Sequence, residues 1–501
     1  MKLKLDFNTY KDKVKACWIG KNIGGTMGTP YEGVRDVLDI KGFSTPKNVV
    51  LPNDDLDLQL IWLHALEQVG PQAINAANLG EFWLNFIPPN WNEYGIGKAN
   101  MRLGLTPPLA GDYNNNWRDS NGAWIRTEIW ASVAPGAPEL AARFAIEDAK
   151  VDHGAGEGTF AAAFVAAMQS AAFAVSDLRE CINIGLCAIP EGCRMAQSIK
   201  LVIDSYESGK SWIEARNAIF ETNSDIGNGW FEAPSNVAYA VLGMLYGEGD
   251  FKKSMITAIN CGDDTDCTGA TVGSTLGILY GTAGIPSDWA EHIGDDIVTI
   301  SISRGQDAKT LPATCTALTE RVCALAPIVL YFFSMDSGNA RHKRREAFAV
   351  ELGEGTEIPE SFKEKLVVRV LREVRGECEK LRDYTMRFEE KFIRADLTLS
   401  GAPEIAPNGE LGVHIRLRNN RSYENIQQAL RLRWILPEGF TASGKSSVLL
   451  QRADDHNEPE VELDAVIKAG DAVAAENRII LEITAPGRPT ALYASFPVFA
   501  L

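Results

Sequence analysis

The sequence predicts a multidomain protein: an all-α catalytic domain over the first two thirds, followed by an all-β, immunoglobulin-like sandwich. Three observations predict it. The 501 residues are too many for one core of ordinary size. Over residues 11–330 apolar side chains recur mainly at helical spacing, with Ala-rich runs such as 160–168 and little strand-like alternation. After Asp383 the apolar period drops to two. These shifts set the expected boundaries at 1–335 for the helical domain, 336–383 for a helical connector and 384–501 for the sandwich.

Within the first domain, residues 58–69, 139–149, 195–206 and 236–246 each hold the helical period for about three turns and are separated by Gly/Pro/Asn clusters. Composition turns polar near 334–339 and basic over 341–345, and a charged amphipathic helix follows over 361–382. Acidic neighbours Glu346, Glu351, Glu354 and Glu357 make that basic run a solvated surface rather than an anion site. The runs 393–399, 413–417, 430–436 and 479–483 alternate apolar and polar residues, as half-buried antiparallel strands do. Turn signals at 407–409, 437–439 and 486–487 separate them, and a sandwich of roughly seven strands is the expected result.

Bulk properties narrow the function. A net charge of −17 disfavours phosphate backbones and anionic membranes, so neither a nucleic acid nor a membrane is expected as a partner. The nine cysteines are odd in number, scattered and free of a CxxC pair, which fits reduced thiols rather than a disulfide or zinc framework. The charged N-terminus shows no secretory pattern, and a cytoplasmic location is expected. Residues 269–285 form the one membrane-like stretch in this reading, and their Gly, Thr and Ser content favours a buried core helix.

Two acidic clusters stand out. Asp263, Asp264 and Asp266 fall within four residues, ahead of a segment in which Gly269, Gly273, Gly277 and Gly281 recur every fourth position. Carboxylates at that density repel unless water, a proton or a cation intervenes, and their hard oxygens suit Mg2+, Mn2+ or Ca2+. The glycines each cost about 1 kcal/mol against alanine in a helix, which is tolerated where another backbone comes close. Asn53, Asp54, Asp55 and Asp57 form the second cluster, just ahead of the helix that begins near Leu58. Helix capping accounts for one or two of these acids, at about 0.3–1 kcal/mol each. It accounts less well for Asp57, which shares a helix face with Asp54.

Three other segments carry chemistry-bearing residues without spacing that decides their role. Gly24, Gly25 and Gly28 precede Pro30 and Glu32, match no phosphate-binding fingerprint, and serve equally as helix-packing positions. Asn121, Gly122 and Arg126 lie in a turn, and His153 and Gly154 lie in a Gly-rich loop.

Taken in order, these segments resemble the ADP-ribosylglycohydrolase family over roughly residues 11–286. Gly28 to Glu32 stand at its Pro-x-Glu element, Asn53-Asp54-Asp55 at its Thr-Asp-Asp motif, and Asn121 to Arg126 at its Asn-Gly-Ala-x-x-Arg turn. Asp152-His153-Gly154 stand at its Ser/Thr-His loop, and Asp264-Thr265-Asp266-Cys267 at its Asp-x-Asp motif. The resemblance implies a hydrolase of ribosyl glycosidic bonds, acting on a small-molecule or protein-linked ADP-ribose substrate with one or two Mg2+ ions. It implies metal ligands at Asn53, Asp54, Asp55, Asp264, Asp266 and Cys267. Glu32, Asp55 and Asp264 become the catalytic carboxylates, and Asn121, Gly122, Arg126, His153 and Gly154 the substrate contacts.

The chain departs from the pattern at three places. Asn53 replaces a threonine, Leu56-Asp57 replaces a small polar pair, and Cys267 stands where a hydroxyl residue commonly ligates metal. A thiol is a poor partner for magnesium, so the second metal is expected to be weak, absent or differently held, with Thr268 or Asp57 as substitute donors. A glycoside or nucleoside hydrolase acting on another furanoside, and a noncatalytic ADP-ribose or sugar binder, remain the competing readings.

Overall fold

The helical domain is organised around two helices that touch through bare backbone. In the computed structural model, which describes residues 2–303, 310–338, 349–420, 426–452 and 460–501, the Phe7–Gly28 helix packs along the Thr265–Tyr280 helix. A Cβ on Gly24 would sit 2.1 Å from the Gly269 carbonyl, one on Gly20 2.1 Å from Gly273 O, and one on Gly277 2.4 Å from Ala16 O. Glycine on both faces therefore permits an approach that any side chain would block. Gly24 and Gly28 are helix-packing positions, whereas Gly25 faces the Asn53 side chain. Gly281 leaves the stripe: at φ 70° it ends the helix, its N–H donating to Gly277 O.

Around this pair lie Asp54–Val69, Pro138–Ala149, Glu157–Ala172, Arg194–Glu207 and Ala233–Gly247, at the helix positions the apolar period marked. Trp18, Trp62, Trp83, Trp124 and Trp130 are among the fully buried side chains of their common core. The strand Lys2–Asp6 (β1) pairs in parallel with Ala349–Gly353 (β2), fastening the N-terminal segment to the chain beyond the helical domain. Phe362, Leu366, Val370, Val374 and Cys378 belong to the same core, so the expected connector packs as part of the helical layer. The basic run 341–345 lies outside the described residues.

Residues 269–285 were the expected membrane-like stretch, and the Thr265–Tyr280 helix is buried in the core. A different helix, Cys315–Gly338, carries a stretch (Cys315–Phe333) long and apolar enough to cross a membrane by length and composition. One side packs on the Phe7–Gly28 and Glu128–Val133 helices, while Ile328 and Tyr331 are exposed.

Among the described residues the β domain holds ten strands, against the roughly seven expected: Thr385–Glu390 (β3), Ile393–Leu399 (β4), Glu404–Ile405 (β5), Glu410–Asn419 (β6), Gln428–Ile435 (β7), Thr441–Gly444 (β8), Ser447–Leu450 (β9), Glu460–Lys468 (β10), Glu476–Thr484 (β11) and Ala491–Ala500 (β12). One sheet runs β3-β4-β6-β10-β8 and the other β5-β12-β11-β7-β9. Both send alternate residues such as Leu397, Ile415, Leu481 and Phe496 into one core, the two-layer arrangement of an immunoglobulin-like sandwich. Leu105 and Leu109 of the helical domain join that core, and Pro108 bridges to Met386, so the domains meet through a packed contact.

Candidate active site

The close approach of the first and the Thr265–Tyr280 helices fixes where the acids lie. Thr265 Oγ1 donates to Gly28 O at 2.8 Å, locking the start of the later helix against the end of the first. Asn53 caps the Asp54–Val69 helix beside it, its Oδ1 accepting from Asp55 N at 2.7 Å and its Nδ2 donating to Asp266 Oδ2 at 3.2 Å. Two acidic helix N-termini thus converge from positions more than two hundred residues apart.

Asp266 stands at the centre. Ligand atoms of Asp55, Asp266 and Cys267 lie within 4.8 Å of one another, and so do those of Glu32, Asp264 and Asp266. Asp55 is 1% exposed, and among the described residues neither of its carboxylate oxygens has a hydrogen-bond partner. Asp264 Oδ1 and Asp266 Oδ1 are likewise buried without partners. Capping does not explain them, because the Asp264 side chain makes no cap bond and Asn53 already serves its helix. Buried carboxylate oxygens without donors are costly unless a cation or proton meets them, so this donor set fits a hard divalent ion.

Without an ion the site holds protons instead. Burial and then Asp266 raise Asp54 to about 6, and burial followed by Asp266 and Asp54 raises Glu32 to about 8. Burial, reinforced by neighbouring carboxylates, pushes Asp264 and Cys267 well above their ordinary values. Burial also pushes Asp55 well up, against the opposing charge of Lys21. That lysine is 1% exposed; burial disfavours its charge, but Glu128 and Asp55 outweigh burial and hold its pKa above the ordinary value. Glu128 accepts from Lys21 at 3.0 Å, Gln59 at 2.6 Å, Gln169 at 3.1 Å and Ser274 at 2.9 Å, a satisfied polar floor beneath the acids.

Several sequence expectations change here. Asn53 was expected to ligate metal through its oxygen, but that oxygen caps a helix and the amide nitrogen faces Asp266. Asp57, a suggested substitute donor, accepts from Ile300 N, Ser301 N and Ser301 Oγ and so anchors a loop. Thr268, the other, gives its hydroxyl to Thr265 O. Asp263 turns away to Phe231 N and Asn236 Nδ2.

The expected substrate contacts also lie behind the site. Asn121 donates to Asp264 Oδ2 at 2.6 Å and accepts from Trp124 Nε1, so both ends of its amide are engaged and it positions Asp264. Gly122 is buried where a Cβ would meet Glu93 Oε1 at 2.1 Å. Arg126 is fully buried, paired with Asp148 at 3.0 Å and Asp152 at 2.8 Å, and lies over the Trp83 ring. His153 is fully buried with Nδ1 against Arg118 O. Gly154, at φ 52°, leaves no room for a side chain beside Asp112. These residues shape the walls, and most of their polar groups serve the protein; His153 Nε2 is the exception, buried without a hydrogen-bond partner among the described residues and within 4.8 Å of ligand oxygens of Glu93 and Asp152.

Two neighbours of the acids carry no motif of their own. Tyr94 donates its hydroxyl to Asp54 Oδ2 at 2.9 Å. Lys21 is visible in the sequence only as a lone charge within a glycine-rich apolar stretch. Beside Glu32, Trp230 and Phe231 stand next to Gly33, and Trp117 meets Trp230 edge-on at 6.1 Å.

A profile described as ADP-ribosylglycohydrolase matches residues 6–321. This chain belongs to that family. Among curated relatives, ADP-ribosylarginine hydrolase Tri1 of Pseudomonas putida (strain GB-1) is 35% identical over 54 residues, which is 11% of this chain and 15% of that protein. An ADP-ribosylglycohydrolase-related protein complex is similar at 21% identity, covering 64% of this chain and 99% of that one, with a TM-score of 0.43. A FixG-related protein from Vibrio parahaemolyticus is similar at 11% identity, over 22% of this chain and 98% of that one, with a TM-score of 0.18.

Proposed function

We propose that this ADP-ribosylglycohydrolase-family chain is a divalent-cation-dependent hydrolase that cleaves the ribosyl glycosidic bond of an ADP-ribosylated substrate. The observation that carries the reading is the buried meeting of Asp55, Asp264 and Asp266, with half-buried Asp54 beside them and with no donor to Asp55 among the described residues. Asp54, Asp55, Asp264 and Asp266 would hold Mg2+ or Mn2+, and Cys267 stands close enough to weaken the preference for Mg2+. When bound, such an ion supplies Lewis-acid polarisation and a template for ribose hydroxyls.

The chain's own groups do the rest. Glu32, exposed at the rim yet within reach of Asp264 and Asp266, accepts the proton of the attacking water. Asn121 and Tyr94 keep Asp264 and Asp54 oriented, and the Glu128 floor keeps both helix starts in place. Trp117 and Trp230 offer ring faces on which a purine can stack. Nine free cysteines, eight of them buried, support a reducing, cytoplasmic setting.

The test incubates the protein with an arginine-linked ADP-ribosyl substrate and, separately, with aryl furanosides, each with Mg2+, Mn2+ or chelator. Release of free ADP-ribose that needs the cation and is lost in Asp266→Asn is the expected result. Cleavage of simple furanosides alone points to the other glycosidase reading. Tight ADP-ribose binding without turnover makes the protein a binder.

A further inference from the structure

A polar cavity lies away from the acidic site, where the helical domain, the 362–378 segment and the first sheet of the sandwich meet. Its volume is about 340 Å³, within the range of small-molecule sites. Seven arginines and two lysines line it against four carboxylates, an excess of five positive charges in a chain of net charge −17. Arg143 reaches it from the Pro138–Ala149 helix and Arg372 from the chain just after the Phe362–Val370 helix.

The sandwich contributes two ladder rows. Arg387, Asp396 and Arg416 sit opposite one another across β3, β4 and β6, and Arg394 sits opposite Arg418 across β4 and β6, in a row that Glu389 of β3 and Glu460 of β10 close at its two ends. Like charges directly opposite in a ladder are destabilising. Part of this charge is met: Asp396 accepts from Arg387 Nε at 2.7 Å and Arg416 Nη2 at 2.9 Å, Glu147 from Arg387 Nη1 at 2.9 Å and Lys150 at 2.7 Å, and Glu373 from Arg143 at 2.9 Å. Arg394 is served less closely, with Asp396 at 3.6 Å and Glu389 at 3.9 Å. Arg394 Nε is buried without a hydrogen-bond partner among the described residues. Burial, then Arg387, pushes that guanidinium below its ordinary range, as expected of a cation short of counter-charge.

We infer that this interdomain cavity binds a compact multivalent phosphate, the diphosphate group of a small molecule, and thereby clamps the sandwich onto the helical domain. Planar guanidinium groups suit phosphate oxygens, which they meet with paired hydrogen bonds. A compact, partly open cavity on an acidic protein fits a small anion better than a nucleic-acid strand, which needs a long basic track. The inference stands whether or not the acidic site is a hydrolase.

Calorimetric titration of the intact protein with inorganic pyrophosphate, in chelator and without phosphate buffer, tests it. The expected result is one saturable site, weakened at least about tenfold by Arg372→Glu or by Arg394→Gln and unchanged in Asp266→Asn. Arg372 is exposed, so its variant keeps the fold when Arg394→Gln does not. ADP titrated in the Asp266→Asn background separates sources: tighter binding than pyrophosphate assigns a nucleotide, and equal binding assigns the phosphate group alone. Absence of binding, binding indifferent to Arg372→Glu, loss in Asp266→Asn, or stronger capture of a single-stranded oligonucleotide overturns the inference.

Discussion

Replacing Asp55 with asparagine separates the stability of the acidic site from its proposed role. Asp55 and Asp266 have oxygens within 4.8 Å of each other, and Asp55 has no hydrogen-bond donor among the described residues. Two full charges at that distance repel by roughly 3.5 kcal/mol at an effective dielectric of about 20. Protonation and Lys21 relieve part of that, so Asp55→Asn should stabilise the metal-free protein by about 1–3 kcal/mol near neutrality. Saturating cation reverses the order. At a hundred times its dissociation constant, an ion stabilises the wild type by about 2.7 kcal/mol and the variant by far less. Urea denaturation followed by far-ultraviolet circular dichroism, with chelator and then with Mg2+ or Mn2+, reads both effects. A variant less stable than the wild type in chelator, yet equally stabilised by cation, would refute the reasoning.

Three further outcomes are expected. Cys267→Ser replaces a thiol beside Asp55 and Asp266 with a harder oxygen donor, so Mg2+ affinity should rise about tenfold while thiophilic Cd2+ binding weakens; competitive metal titration checks both. Arg126→Lys loses the paired bonds to Asp152 and leaves buried carboxylates short of donors, costing about 3–5 kcal/mol of stability, with KM unchanged in whatever protein folds. Acid stability should depend on Glu147. Burial would raise its carboxyl, but Lys150 and Arg387 outweigh burial and hold it down at about 2. Burial and Arg387 in turn push Lys150 down, so Arg387 is the firmer partner. A folded pKa below the unfolded value gives stability that is complete above about pH 4.5 and lost as pH falls towards 2, amounting to about 3 kcal/mol. Glu147→Gln should flatten that part of the pH–stability curve.

The acidic motifs were legible because carboxylate density is itself unusual, and the glycine period announced a close helix contact. The partner of that contact was not legible: Gly24 and Gly28 suit a loop and a helix-packing face equally until the Thr265–Tyr280 helix is seen against them. Residue type in a turn also says nothing about where its polar atoms point. Asn121, Arg126 and His153 suit a ligand, yet Asp264, Asp148, Asp152 and the Arg118 carbonyl, mostly distant in sequence, engage the Asn121 amide, the Arg126 guanidinium and His153 Nδ1. In the sandwich, alternation located β4, β6, β7 and β11. It gave no sign of β5, β8 and β9, which are only two to four residues long. Pro497 also argues against a strand, and is tolerated in β12 because its outer neighbour β5 pairs only with Phe499 and Ala500. The arginine rows become a cavity only when β3, β4 and β6 align and the helical domain closes over them.

Anomalous diffraction from crystals of the intact chain soaked in Mn2+ bears most directly on the central claim. Peaks among Asp55, Asp266 and Cys267, or among Glu32, Asp264 and Asp266, are the predicted result, lost in Asp266→Asn. A map with no peak at these carboxylates under saturating Mn2+ would contradict the account.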